Sequence, residues 1–178
     1  MIEAISRRMA IRMKEIHPNH PISTEVLAFA LGSIINIFGT IVVALSLAAM
    51  LGQFKETALA MLAFAALRAI SGGRHLKTSV TCMLVTSVGA NLIPLAAKYI
   101  PFSKYSIISM IVVGMVLAAV FATRKIEHQT RIPKKYYPLL RVLSVLLIAT
   151  NLIFLNKIIA ISHFVQCLLL IRRGGESR

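Results

Sequence analysis

His75 and Cys82 stand seven residues apart, follow a Gly72-Gly73 pair, and lie among Arg68, Arg74 and Lys77 in the stretch RAISGGRHLKTSVTC (residues 68–82). An imidazole and a thiol together support one kind of chemistry. The imidazole takes the thiol proton, the sulfur attacks a peptide carbonyl, and the imidazolium hands its proton to the leaving amine. A sulfur–carbon bond forms, a carbon–nitrogen bond breaks, and the acyl group stays on the protein as a thioester. Arg68, Arg74 and Lys77, with the Gly72-Gly73 backbone, are the candidates to stabilise a developing oxyanion or to dock an acidic substrate. Geometry sets the condition. On one continuous helix the pair would share a face but lie about 10.5 Å apart along the axis. Proton transfer needs about 3 Å. The dyad therefore works only if the glycines, which take positive φ without penalty, break the helix and fold His75 back toward Cys82. On spacing alone the plainer reading is preferred: a turn made by Gly-Gly, basic anchors, an incidental histidine, and a cysteine acting as a small apolar filler.

The elements that must position these residues are membrane helices. Apolar residues make up 57% of the 178-residue chain, mean hydropathy is +0.79, and the apolar residues fall in long runs, well beyond the soluble norm. Spans are expected at 26–51, 57–70, 78–97, 107–123, 139–155 and 158–171, separated by Gly, Pro, Lys and Arg. The second and sixth are short for a bilayer. The fold expected is an all-α integral membrane protein of six transmembrane helices, two of them short; four spans is the alternative count. The N-terminus lacks the apolar core and cleavage site of a signal peptide. Ile2, Ile5, Met9, Met13 and Ile16 recur at helical steps between basic residues until His17-Pro18. That pattern fits either an amphipathic helix on the inner leaflet or a basic flank anchoring the first span.

The net charge of +14, from 20 Lys+Arg against 6 acidic residues and no aspartate, is read as membrane orientation, with no nucleic acid as partner. With the N-terminus inside and six crossings, four basic residues at 7–14, three at 68–77, six at 124–141 and three at 172–178 face inward. Only Lys55, Lys98, Lys104 and Lys157 face outward. A split of 16 to 4 is the asymmetry the positive-inside rule asks for, and it makes both termini cytoplasmic. The 68–82 stretch then opens to the cell interior.

Arg68, Gly72-Gly73, His75 and Cys82, between the second and third spans of a basic six-span chain, resemble the accessory gene regulator B family. Those membrane cysteine endopeptidases carry R, G, H and C in this order with the same H-x6-C spacing. The resemblance implies that Cys82 is the nucleophile and His75 the general base. It implies cleavage of the C-terminal tail of a quorum-sensing precursor, with closure of a thiolactone or lactone ring as a precursor cysteine or serine exchanges onto the acyl group. The implied partners are a short amphipathic precursor with an acidic tail and an anionic inner leaflet; the implied location is the bacterial cell membrane. No cofactor or metal is called for. The domain reading follows: 1–25 interfacial, 26–171 a six-helix membrane peptidase domain, 172–178 a basic cytoplasmic tail. Where the family has Ala-Pro after the fourth span, this chain has Ala122-Thr123, with prolines later at Pro133 and Pro138.

A third catalytic residue stays unassigned: Asn91 lies about 13 Å deeper than Cys82 if helical, and Asn36 would depend on how the spans pack. Gly32, Asn36 and Gly39 form a small-residue seam, read as a helix contact within the bundle, with a homodimer contact or substrate groove as its other uses. Asn151 and Asn156 read as caps in the turn to the sixth span. His163 and Cys167 share a helical face, but two ligands without further donors make a weak metal site, and no chemistry is assigned to them. The rival reading is the six-span substrate-binding subunit of a vitamin transporter, for which Ala44-x-x-x-Ala48 is a faint echo of a small-residue coupling motif.

Overall fold

The computed structural model describes residues 2–18, 21–73, 78–123 and 133–171. Among these every regular element is helical: α1 (Ile2–Ile16), α2 (Thr24–Met50), α3 (Phe54–Ser71), α4 (Ser79–Tyr99), α5 (Lys104–Phe121), a 3-10 turn at Lys134–Tyr136, α6 (Tyr137–Ala149), α7 (Asn151–Phe154) and α8 (Lys157–Leu170). Four segments are long and apolar enough to cross a bilayer: Thr24–Met50, Ser79–Tyr99, Lys104–Phe121 and Lys134–Phe154. The two runs read as short from sequence form α3 and α8, of 18 and 14 residues. At 1.5 Å per residue α8 reaches only about 21 Å. Phe54, Lys55 and Glu56 lengthen α3 beyond its apolar run.

The chain divides into two units, Met1–Gly52 with His75–Asn91, and Gln53–Arg74 with Leu92–Arg178. In the first, α1 ends just before His17-Pro18, as expected where a proline follows. Small residues set its packing on α2. Ile2, Ser6 and Ala10 are buried, and Gly32 lies so close that a Cβ there would sit 3.2 Å from Ser6 Oγ. The apolar residues Ile5, Met9, Met13 and Ile16 remain 49, 44, 46 and 72% exposed. Among the described residues this apolar face of α1 stays largely uncovered.

On α2, Ser23 caps the first turn by accepting the Val26 N–H. Thr40, Ala44 and Ala48 bury one stripe. Ser87 Oγ donates to the Thr40 carbonyl, and Asn91 Nδ2 donates to the carbonyls of Ala44, at 3.0 Å, and of Ser87, at 2.9 Å. Buried amides of this kind hold membrane helices together because the surroundings offer no competing water. A Cβ on Gly39 would lie 2.6 Å from Met83 Sδ. Gly32 and Gly39 therefore serve packing, against α1 and α4, and Ala44 and Ala48 are internal.

In the second unit α3, α5, α6 and α8 pack around Leu67, Ile111, Ala118, Ile148, Ala160 and Cys167. The run expected as a span at 139–155 is matched by the segment Lys134–Phe154, within which the helix is interrupted at Thr150. α6 stops at Ala149, α7 makes a single turn, and Leu155 takes a left-handed φ of 47°. Asn151 and Asn156 hold this corner as their sequence context suggested. Asn151 Nδ2 donates to the Asn156 carbonyl, Asn156 N–H returns to Asn151 Oδ1, and Asn156 Oδ1 caps α8 at Ile158 and Ile159.

Candidate thiol site

Cys82 is the fourth residue of α4 and half-buried. Thr78, outside the helix, accepts the Thr81 N–H on Oγ1 at 3.2 Å, and its carbonyl accepts the Cys82 N–H at 3.0 Å, the first bond of the helix. α4 begins at Ser79, with Thr78 just outside it. The helix start is closed from outside as well. The Glu3 carboxylate on α1 accepts the Ser79 N–H at 3.0 Å, an orphan donor at a positive helix end. That bond holds the Glu3 carboxyl down from 4.5 to about 2.

Arg68, Gly72 and Gly73 lie where α3 ends. The Gly72 N–H still bonds the Arg68 carbonyl, but Gly72 takes φ 79° and ψ −164° and the helix stops. That region is open almost only to glycine. Gly73 is pressed against the Arg68 side chain, so that a Cβ would lie 2.6 Å from Nη1. The guanidinium also stands 5.8 Å from the centroid of the Phe64 ring. The structure thus brings together Arg68, Gly72 and Gly73 of the predicted site. Arg74, His75 and Lys77 lie outside the described residues.

Gln166, which the sequence reading passed over, and Thr123, which it noted only as a departure from the family, hold this helix end. Gln166, wholly buried in α8, donates from Nε2 to the Gly72 carbonyl at 2.7 Å and to Ser71 Oγ at 3.2 Å. The Thr123 N–H donates to the Ser71 carbonyl at 2.9 Å. Thr123 itself takes φ 69°. The signals were there to find: an amide in an apolar helix, and a threonine where the family has proline.

His163 and Cys167 do not form a second site. His163 is buried, with Nδ1 unpaired among the described residues, while Cys167 Sγ lies 3.3 Å from the Gly114 carbonyl on α5 and donates to it. No group of three His, Cys, Asp or Glu that could hold a metal occurs among the described residues.

The family model for accessory gene regulator B matches residues 5–171, nearly the whole chain, from the first turn of α1 through the 68–82 cluster to the end of α8. The chain belongs to the accessory gene regulator B family. No curated protein and no solved structure matches it. Membership supports a role in quorum-sensing peptide processing. The 68–82 cluster lies within the matched residues. A proline at Thr123 would have neither the N–H that Thr123 gives to Ser71 nor access to φ 69°.

Proposed function

We propose that this protein is a membrane-embedded cysteine endopeptidase that removes the C-terminal tail of a quorum-sensing precursor and promotes ring closure. The match to the accessory gene regulator B family over residues 5–171, which contains the whole cluster, carries the reading. Cys82 attacks the scissile carbonyl, His75 takes its proton and returns it to the leaving amine, and the precursor's N-terminal part remains on Cys82 as a thioester. A thiol of the precursor then displaces Cys82, exchanging one thioester for another and regenerating the enzyme thiol. Arg68, Arg74 and Lys77, with the Gly72-Gly73 backbone, meet the oxyanion or the acidic tail. Support comes from the half-buried state of Cys82 against the full burial of Cys167.

The proposed setting is the bacterial cell membrane, crossed six times, with α3 and α8 as short crossings, both termini inside and the site facing the cytoplasm. The 16 to 4 distribution of basic residues supports this orientation. The uncovered apolar face of α1, with Arg7, Arg8 and Arg12 on the same helix, suits an anionic inner leaflet, where an amphipathic precursor would also lie. Co-expression with the precursor, following loss of its tail, tests the assignment. Cleavage should vanish in Cys82→Ala and His75→Ala and persist in Cys167→Ala. Cleavage that survives Cys82→Ala removes Cys82 as the nucleophile.

A further inference from the structure

We propose that Asn36 is a substrate-binding residue beside the thiol, its side-chain oxygen accepting a backbone N–H of the precursor next to the bond that is cut; the proposal rests on the cysteine peptidase reading above. The geometry comes from the pairing of α2 with α4 inside one compact unit. Ser87 Oγ donates to the Thr40 carbonyl and Asn91 Nδ2 to the Ala44 carbonyl, so equal steps along the two helices stay paired at a constant difference of 47 positions. The helices therefore run parallel and in register. One turn before Thr40 and Ser87 stand Asn36 and Met83, and the approach there is close, since a Cβ on Gly39 would meet Met83 Sδ. One turn earlier again stand Gly32 and Ser79, and α1 reaches both: Ser6 lies against Gly32, and the Glu3 carboxylate accepts the Ser79 N–H. Asn36 is thus at the level of Met83, and Cys82 precedes Met83 by a helical rise of about 1.5 Å.

Both side chains belong to the enclosed side of that level. On α4, Leu84, Val85 and Val88 are exposed, whereas Cys82, Met83 and Thr86 are half-buried and Ser87 is buried. On α2, Ile37, Phe38 and Ile41 are exposed, and Asn36 is half-buried with its Oδ1 covered. The polar side chains of the neighbouring turns are all used, Ser87 and Asn91 on carbonyls of α2 and Glu3 on the start of α4. Among the described residues of this unit, Asn36 Oδ1 is the buried side-chain oxygen without a partner. An acceptor left unpaired in apolar surroundings is unfavourable. The main chain of a precursor supplies its complement, because an extended peptide at membrane depth finds no water for its N–H groups and cannot pair them with itself. One bond from such an N–H to Asn36 satisfies both and holds the adjoining carbonyl at the level of the Cys82 sulfur.

The test is a double-mutant cycle between protein and peptide. The probe is the short precursor encoded nearest to this chain, made synthetically, with the amides flanking the scissile bond replaced one at a time by esters; each ester removes a single N–H and keeps the shape of the chain. Single-turnover cleavage in lipid nanodiscs is timed for wild type, for Asn36→Leu, which has a similar shape without the acceptor, and for Asn36→Ala as the second variant, with thermal unfolding confirming that each is folded. Both variants should cleave the all-amide precursor on the order of tenfold more slowly, as expected for one lost hydrogen bond. One of the ester precursors should be slowed to the same extent with wild type and should be cleaved equally by wild type and variants. Full-rate cleavage of the all-amide precursor by the variants, or esters that all slow the variants as much as they slow wild type, overturns the binding role and leaves the thiol assignment standing. Wild type that does not cleave, or cleavage that survives Cys82→Ala, overturns this role and the peptidase reading together.

Discussion

The carboxylate of Glu3 accepts the backbone N–H of Ser79 at 3.0 Å, joining the first turn of the N-terminal helix to the first turn of the helix that carries Cys82. Ser79 lies three residues before Cys82, so the thiol's local frame includes a residue from the start of the chain. Because the folded Glu3 carboxyl sits at about 2 against an ordinary 4.5, its contribution is fully present above about pH 4.5 and is lost as pH falls toward 2. Wild type should therefore lose unfolding temperature between pH 6 and pH 3 more steeply than Glu3→Gln, compared in the same detergent. Equal slopes would remove the carboxylate from any role at the start of α4.

Gly72 and Gly89 should respond oppositely to alanine. Gly72 sits in a region that costs a side chain about 1–3 kcal/mol, whereas a Cβ on Gly89, inside α4, meets nothing within 4 Å. Gly72→Ala should lower stability by that amount and impair precursor cleavage. Gly89→Ala should leave stability unchanged or raise it by up to about 1 kcal/mol, the usual gain of alanine over glycine in a helix. Denaturant or thermal unfolding of the two variants side by side reads the difference.

Thr123→Pro should destabilise this chain. It removes the donor to the Ser71 carbonyl and is incompatible with φ 69°. The unpaired buried carbonyl alone is worth about 1–3 kcal/mol. Thr123→Gly, which keeps the N–H and accepts the angle, should remain within about 1 kcal/mol of wild type. A Thr123→Pro protein as stable as wild type would mean that the Ser71 carbonyl finds another partner.

The two cysteines should separate by reactivity. Cys82 is half-buried, while Cys167 is fully buried with its Sγ donating to Gly114. A small neutral maleimide should modify one thiol per folded chain, mapped by mass spectrometry to Cys82, with Cys167 reacting only after denaturation. Rapid labelling of Cys167 in the folded protein would contradict its packing between α8 and α5.

Legibility in the sequence followed the range of the interaction. Helix type, the stop at His17-Pro18, the turn at Gly72-Gly73, the caps at Asn151 and Asn156, and the seam at Gly32 and Gly39 rest on periodicity and on chemistry within a few residues. Residue order alone determined them. The span at 139–155 was legible as an apolar run and is matched by Lys134–Phe154, while the interruption at Thr150 left no mark in its composition. The family was also legible, in one fifteen-residue stretch.

Only the tertiary structure decided what holds that stretch. Glu3 closes the start of α4 across 76 positions, and Gln166 takes the Gly72 carbonyl across 94. Thr123 takes the neighbouring carbonyl of Ser71. Cys167, on the same α8 face as His163, gives its thiol to the Gly114 carbonyl on α5 across 53 positions. The physical reason is common to all of them. A buried backbone carbonyl or helix-end amide must be paired, but which distant donor or acceptor pairs it depends on how helices pack, and no local pattern encodes that choice.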